Sequence, residues 1–375
     1  MTRVLRHPLF WTALVMLVLP WLMPGANPLI GKAGFVDLAT QIVIFALFAM
    51  GFNLLFGHVG DLSFGQAMFF TIAAYTTALF TKGFHTPIFG AVAQWSGANN
   101  LFLALILSLG LVAAWAFVLA RLIVPRSSGI YFSMITLAFA QVIFFITYKF
   151  DAFTGGEDGI QAVSRPILPG LPPTFLNDSM HFYYFSAIVI FVSLAALYWV
   201  IESPFGTVCR AIRENEQRAA FLGYDVRKYR INAFFLSALF PAVAGSLWTF
   251  FQQTINPDAG SVEYSGRVVM MALLGGIHTF FGPMLGAFIY WEIQNNVSHV
   301  TKYWEGWIGA VFVVFVLIAP RGIWGGVEDV RHYGLANALR RVFSRRARIE
   351  TEIAEEKAIK AEISAAEQHE SEAAS

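Results

Sequence analysis

Long runs of apolar residues recur along almost the whole chain, and no other feature constrains its fold as strongly. A helix needs roughly 20 mostly apolar residues to cross the hydrocarbon core of a bilayer. Five runs meet this requirement clearly, at residues 38–56, 101–120, 130–148, 182–201 and 231–251. Charged residues form only 13% of the chain, whereas soluble domains carry roughly 25%. The sequence therefore predicts a protein that faces lipid more than water.

Five further segments are helical in character but shorter, more polar or interrupted. They are residues 9–23, 64–80, 265–277, 283–297 and 307–319. Glycines and a proline separate the third of these from the fourth, and broken helices at membrane depth require protein or a cavity over the freed backbone groups. The predicted fold class is thus all-α: a polytopic integral membrane protein of about ten transmembrane helices, some of them short or broken.

Positive charge is concentrated in a few segments, and it predicts the topology. Cytoplasmic loops near span ends collect Lys and Arg. Residues 202–230 carry six basic residues, and seven arginines follow the last span. If both regions and the N-terminus are cytoplasmic, an even number of spans must lie on each side of the basic loop, which agrees with ten crossings. The acidic loop between Asp151 and Asp178 then lies outside.

The chain divides into two parts by composition. Residues 1–325 are predicted to form the transmembrane domain. Residues 326–375 form a charged cytoplasmic tail, first basic and then acidic, which we expect to be disordered or partly helical. The basic block would lie against anionic headgroups, or it reflects only the ordinary positive-inside bias.

No motif of enzyme chemistry is present, and we predict no catalytic, cofactor-binding or metal site. A phosphate-binding loop and a His-Glu-x-x-His zinc motif are both missing from the sequence. The single cysteine, Cys209, excludes a disulfide within the chain and is expected to be a small apolar filler. Glu292 is the one carboxylate well inside a proposed span, and a hydrogen-bonding role is favoured over a proton relay. The energy for any transport is therefore expected to come from elsewhere.

The segment 203–229 interrupts the series of spans. Pro204 and Gly206 end the preceding span, helix-favouring residues follow from 208 to 222, and Gly223 ends that run as a C-cap would. This pattern predicts a short, charged, two-helix element that projects from the bilayer. Several of its apolar residues would suit docking into a groove of a partner protein: Ala219, Ala220, Phe221 and Leu222. A solvated loop between spans is the alternative.

This element resembles the coupling segment of ABC-importer permeases, where a Glu-Ala-Ala-x-x-x-Gly motif meets the ATPase. Here the glutamate is displaced to Glu216, and the spacing from Ala219-Ala220 to Gly223 is one residue shorter. Further stretches are similar to LivM-type branched-chain amino acid permeases. They are GFNLLFGHVGDLSFGQA at 51–67, GIYF at 129–132, TLAFA at 136–140, TGGEDGI at 154–160, LGG at 274–276, FGPMLGA at 281–287 and PRGI at 320–323. The chain is identified as a member of that family over roughly residues 51–325.

The resemblance implies a permease subunit of an ATP-binding cassette importer in the bacterial inner membrane, and the charge pattern predicts that both termini are cytoplasmic. The implied partners are a second, related permease, two ATPase subunits that use the ATP, a periplasmic substrate-binding protein and membrane lipid, with no nucleic acid. The implied substrates are branched-chain or other amino acids. Amides, urea or related small polar solutes are the alternative, and a stand-alone channel or carrier is a further one.

Three groups of residues are predicted to carry this function. The ATPase-coupling group is Arg210, Arg213, Glu216, Ala219, Ala220 and Gly223. The translocation pathway is predicted at Gly57, Ser63, Gly65, Gln66, Gly275, Gly276, Gly282 and Pro283, where freed backbone dipoles would meet a zwitterionic amino acid. Alternatively, these glycines only allow close helix packing.

The third group is a candidate contact for the binding protein on the periplasmic side: Gly155, Gly156, Glu157 and Asp158. A simple turn without a partner is the alternative there. Asp61, where relatives more often carry an apolar residue, is expected to lie on a loop surface.

Overall fold

The computed structural model describes residues 8–22, 32–88, 91–168, 170, 172, 174–318 and 322–325. The predicted tail at 326–375 lies outside the described residues, and the boundary at 325 therefore stays a prediction.

The helices are, in chain order, α1 (Pro8–Leu22), α2 (Lys32–Phe56), α3 (Gln66–Lys82), α4 (Leu101–Ile123), α5 (Gly129–Lys149), α6 (Asp151–Thr154), α7 (Ser179–Glu202), α8 (Pro204–Glu214), α9 (Glu216–Phe221), α10 (Val226–Gln252), α11 (Val262–Gly275), α12 (Gly282–Val300) and α13 (Trp304–Ile318).

Each of the ten predicted spans overlaps one of these helices. Within the described residues, six helices are long and apolar enough to cross a membrane, namely α2, α4, α5, α7, α10 and the helix that starts at Trp304. The chain is thus a multi-pass membrane protein. The other four candidates, α1, α3, α11 and α12, are shorter or more polar, and the number of crossings is not fixed by length and composition.

A small hairpin corrects the all-α prediction to a nearly all-helical fold. Strands β1 (Phe84–Ile88) and β2 (Ala91–Trp95) pair antiparallel between α3 and α4. The two strands satisfy each other's backbone hydrogen-bonding groups in a short connection outside the helices. Sequence reasoning was based on apolar spans and did not detect this hairpin.

The centre of the bundle is built around α10, which packs against α3, α2 and α4. Small residues let these helices approach closely, and a Cβ placed on Gly245 of α10 would lie only 2.2 Å from the carbonyl oxygen of Phe70. Buried hydroxyls join the same helices. Ser246 lies 3.0 Å from the Thr77 hydroxyl and 2.8 Å from the Ser108 hydroxyl of α4.

The loops gather at two opposite ends of the bundle, in the grouping that the charge pattern predicts. At one end, Ile160 pairs with Ile255, with an N–H···O distance of 2.8 Å, and Asn99 donates to the Arg165 carbonyl oxygen at 3.0 Å. The other end holds the connections 57–65, 124–128, 203–225 and 276–281, whose contacts are described below.

Two irregular segments reach the middle of the bundle. The chain leaves α2 at Phe56 and starts α3 only at Gln66, which donates to Ser237 at 3.1 Å. Ser237 lies eleven residues into α10, or about 16 Å along a helix. From the opposite end, residues 253–261 return to start α11, where Ser265 donates to the Phe64 carbonyl oxygen at 2.7 Å. Both α3 and α11 therefore begin within the depth of the bundle.

Candidate functional site

The predicted two-helix element is present as α8 and α9, at the same end of the bundle as the loop 57–65. Ser203 caps α8 by accepting from the Gly206 amide, and Pro204 occupies the first turn. Asn215 separates the two helices, because its side chain accepts from the Arg218 amide at 2.8 Å and so caps α9. Gly223 follows with φ +91°, a conformation that favours glycine.

The buried and exposed faces of this element differ. Ala219 packs with Val208 and Ile212 in a small apolar cluster against the start of α10. In contrast, Phe221 is 90% exposed and Leu222 is 71% exposed. Large apolar side chains are thus held out on the surface beyond α9. Cys209 is buried in α8, as the apolar-filler interpretation predicts.

Arg213 connects α8 to the loops that follow α2 and α11. Its guanidinium donates to the Gly57 carbonyl oxygen and contacts both ring nitrogens of His278, with Nε2 at 3.3 Å. Gly60 lies beneath the arginine, where an added Cβ would be 3.1 Å from Arg213 Cγ. Burial lowers the pKa of the Arg213 guanidinium, and the charge of Glu214 opposes that effect.

Arg230, the fifth residue of α10, forms a buried ion pair with Asp61. Nε and Nη2 each lie 2.8 Å from a carboxylate oxygen, and the two side chains are 8% and 12% exposed. Nη2 also lies 3.4 Å from the Ser127 carbonyl oxygen, and Nη1 lies 3.8 Å from Glu216 Oε1 of α9. The expectation of a loop-surface position for Asp61 is therefore wrong, because its charge is neutralised inside the bundle by a distant arginine.

Two other predicted coupling residues have less connected positions. Arg210 lies on the exposed face of α8, with Nη1 3.7 Å from Glu202 Oε1. Ala220 is exposed on α9. Burial lowers the pKa of nearby His58, and the charges of Arg210 and Arg213 lower it further. Arg213 of the predicted group and Arg230 of α10 thus tie this basic end of the bundle to the loop 57–65.

The predicted pathway residues are brought together, and they pack tightly. A Cβ on Gly275 would lie 1.6 Å from the Gly282 carbonyl oxygen, and one on Gly57 would lie 2.3 Å from the Ile277 carbonyl oxygen. Gly276 and Pro283 are buried in the same contact. This geometry is what the close-packing alternative describes, and the pathway role of these residues stays a prediction.

The remaining pathway residues lie where the chain climbs towards α3. Ser63 accepts from the Gly65 amide at 3.2 Å, and a Cβ on Gly65 would lie 2.9 Å from the Thr136 carbonyl oxygen of α5. Gln66 is buried, and its side-chain oxygen has no hydrogen-bond partner among the described residues. The segments 57–65 and 276–281 therefore contact α8 through Arg213, and the first of them continues into the interior of the bundle at Gln66.

The candidate periplasmic contact forms a compact turn at the opposite end. Gly155 and Gly156 both have positive φ, at 76° and 60°. Glu157 and Asp158, which follow these glycines, are exposed. A Cβ added to the next residue, Gly159, would lie 2.0 Å from the Ile255 carbonyl oxygen. The glycines are thus needed for the turn itself, and the contact with a partner stays a prediction.

Besides the Asp61–Arg230 pair, sequence reasoning missed a charged pair on α11. Glu263 and Arg267 of α11 form an ion pair at i and i+4, although the sequence analysis found Glu292 to be the only carboxylate well inside a span. The missed signal was a Glu and an Arg four residues apart at the start of a predicted span. Glu292 itself accepts from Asn296 in its own helix at 3.3 Å. Among the described residues there is no group of three or more potential metal ligands.

Comparisons with known proteins find a family and several relatives for this chain. A family model described as the permease component of branched-chain amino acid transport systems matches residues 34–319. The high-affinity branched-chain amino acid transport system permease protein LivM of Escherichia coli K12 is 28% identical over 338 residues, which cover 85% of this chain and 75% of the relative. A probable LivM of Methanocaldococcus jannaschii is 27% identical, with 72% and 83% covered.

A second kind of relative matches the same chain. The permease protein LivH of Escherichia coli K12, named for the same kind of transport system, is 27% identical, with 76% of this chain and 92% of the relative covered. No solved structure is a significant match.

Proposed function

This chain belongs to the family of permease components of branched-chain amino acid transport systems, and we propose that it is one of two related permease subunits of an ATP-driven importer. The relatives are transport permeases rather than enzymes, which confirms the prediction of a permease. The match over residues 34–319 is the observation that carries the proposal. Branched-chain amino acids are the proposed substrates, because the relatives are named for them.

A second permease subunit completes the proposed membrane domain. Support comes from the relatives, since Escherichia coli K12 has two differently named permease proteins for branched-chain amino acid transport, and both resemble this chain. The other proposed partners are two ATPase subunits, a periplasmic binding protein and the surrounding lipid. This chain binds no cofactor itself, and ATP is bound by the ATPases.

The proposed topology has ten crossings in the bacterial inner membrane, with both termini cytoplasmic. The grouping of loops at two ends supports it, because the basic connections lie together at one end and the acidic loop from Asp151 lies at the other. In this topology each crossing corresponds to one helix. The ten crossing helices are α1 to α5, α7, and α10 to α13.

Coupling is proposed to run through α9. Its exposed Phe221 and Leu222 would dock on an ATPase subunit, since apolar side chains held out in water gain most from burial in a partner's groove. Movement of α8 and α9 would reach the loop 57–65 through Arg213 and through Arg230, which contacts both Glu216 and Asp61. The turn at 155–158 is proposed as a contact for the binding protein.

Reconstitution into liposomes tests this function. Complexes that contain both permeases and both ATPases are expected to accumulate leucine only when ATP is present inside the liposomes and the binding protein is present outside. Liposomes with this chain alone are expected to show no flux. Leucine or urea flux through the chain alone would support the channel or carrier alternative instead.

A further inference from the structure

A charged pair lies on the outward surface of the bundle at mid-depth. Glu263 and Arg267 are ion-paired one turn apart on α11, and their side chains are 54% and 14% exposed, respectively. Tyr264, between them, has its ring centroid 6.1 Å from that of Phe45. Phe45 lies close to the middle of α2 (Lys32–Phe56), so the pair lies within the depth of the bundle.

Lipid is an unsuitable neighbour for this surface. Ionisable side chains at such depth almost always face a bundle interior or a water-filled cavity, because hydrocarbon does not solvate charge. Helices that face lipid in this chain look different. The exposed residues at the middle of α7 are apolar, for example Ile188 and Val192. The exposed side of α11 therefore faces water or protein in the assembled transporter.

The surroundings hold the arginine in place and leave the glutamate accessible. The Arg267 guanidinium lies 4.9 Å from the Tyr264 ring centroid and 5.7 Å from that of Trp304, distances at which a cation is attracted to an aromatic face. Just before α11, Gly260 packs against Thr71. Thr71 is fully buried, and its hydroxyl has no partner among the described residues. Polar groups thus accumulate where α11 begins inside the bundle.

We propose that this face of α11 lines the translocation pathway between the two permeases, and that its ion pair binds the charged groups of a zwitterionic amino acid. The ammonium group of the substrate would lie against Glu263 and its carboxylate against Arg267. Amides and urea lack these charges, so the pair favours amino acids over the neutral solutes. The inference rests on the proposed permease function, and it assigns a substrate class to that function.

Cysteine accessibility tests the position of this face. Cys209 is the single cysteine of this chain, so a Cys209→Ala background leaves the introduced cysteine as the chain's one thiol, and labelling is read on this subunit after separation from its partners. Val262, 47% exposed, is next to the pair but not part of it. In the full complex, Val262→Cys is expected to react with a charged, water-soluble thiol reagent. The matched control is Val192→Cys, 62% exposed on α7, which is expected to stay unreactive. Equal and negligible reactivity at both positions would overturn the proposal.

Protection by substrate tests the ligand class. Leucine, supplied with the binding protein and ATP, is expected to slow the labelling of Val262→Cys. Isovaleramide, which has a similar apolar group and no charges, is expected to have no effect at the same concentration. Equal protection by the amide would refute the assignment of a zwitterion.

Charge removal tests the residues themselves. Glu263→Gln and Arg267→Gln are each expected to reduce leucine uptake by about 10-fold or more, as loss of a charge-assisted hydrogen bond predicts, while binding-protein-stimulated ATP hydrolysis continues. Arg267→Lys is expected to recover part of the uptake. Glu305→Gln, at an exposed position in the first turn of α13, is the control and is expected to be unaffected. Normal uptake by Glu263→Gln would contradict the proposal.

The two levels of the proposal fail differently. If the unmodified complex shows no ATP-dependent uptake, the proposed function fails. Labelling of Val262→Cys still reports whether the exposed side of α11 is accessible to water. If uptake is ATP-dependent but Val262→Cys stays unlabelled, only the position of the pathway is wrong.

Discussion

Arg230 and Asp61, 169 residues apart in the chain, form a two-point ion pair with both N···O distances at 2.8 Å. The pair fixes the start of α10 to the loop that leads from α2 into α3. Glu216 of α9 approaches the same guanidinium from the cytoplasmic side of the proposed topology, at 3.8 Å. One arginine therefore contacts both the proposed ATPase-docking element and a segment that enters the bundle.

Removing Arg230 is expected to destabilise the protein. Arg230→Gln leaves the Asp61 carboxylate buried without its partner, and breaking a buried pair in this way costs about 3–5 kcal/mol. The double variant Asp61→Asn with Arg230→Gln removes both charges and is expected to regain most of the stability. Thermal unfolding in detergent measures both effects.

Arg227→Gln is the matched control for that series, because Arg227 is an exposed arginine in the same turn of α10. It is expected to unfold at the temperature of the unmodified protein. A loss of stability in Arg227→Gln equal to that in Arg230→Gln would show that the ion pair is not responsible.

Gly223 is expected to be required for coupling. Its φ of +91° strains any other residue, although the space around it is open, with nothing within 4 Å of an added Cβ. Gly223→Asp is therefore expected to shift the connection from α9 to α10 and to reduce uptake strongly, while the protein stays in the membrane and ATP hydrolysis continues. Uptake and hydrolysis are measured on the same proteoliposomes.

Gly110→Ala is the control for Gly223, since Gly110 also has open space around it but lies within the regular helix α4. It is expected to transport normally. Normal transport by Gly223→Asp would count strongly against coupling through this element.

Phe221 is expected to contribute to ATPase binding. The side chain is 90% exposed, and an aromatic anchor buried at an interface is typically worth more than about 1 kcal/mol. Phe221→Ala is expected to weaken copurification of the ATPase by at least about fivefold. Trp199→Ala, 71% exposed on α7, serves as a control for loss of a surface aromatic. Equal retention of the ATPase by both variants would argue that α9 does not dock.

Acid is expected to destabilise the end of the bundle that contains His58. Burial lowers the pKa of this imidazole below its ordinary value of 6.5. When the pH falls below that value, the imidazole is therefore protonated in the unfolded chain before it is protonated in the folded chain. Stability from this group is therefore present above pH 6.5 and is lost as the pH falls below it.

The unfolding temperature measured between about pH 5 and 8 tests this sign, because that range brackets the ordinary histidine pKa. His58→Gln is expected to show a flatter profile. A profile of unchanged slope in that variant would assign the pH dependence to other groups.

The spans α4, α5 and α7 can be predicted from sequence because lipid imposes one rule, a continuous apolar run, on each of them. The two-helix element α8–α9 is also predictable, since Gly223 and the helix-favouring run before it are local signals. The Asp61–Arg230 pair is not predictable in this way. The two residues are 169 positions apart in the chain. Local sequence patterns predict that Asp61 is in a loop and Arg230 in a helix, but they do not predict that the two side chains are in contact.

The interior of the bundle explains the other misses. The segments that break at Gly57 and Gly276 can be read from glycine content, but whether they leave a passage or pack closed depends on the helix positions. Glu263 and Arg267 are overlooked because a count of charges by span boundary places one just outside the span. An i, i+4 search across that boundary finds them.

The contact between α11 and α12 has a consequence for how this protein can move. Backbone touches backbone there, with a Cβ on Gly286 only 1.7 Å from the Met271 carbonyl oxygen, so no side chain separates the two helices at this point. We therefore expect α11 and α12 to move together as one rigid unit. A gate formed by this helical hairpin would open when both helices rotate together, and not when one helix separates from the other.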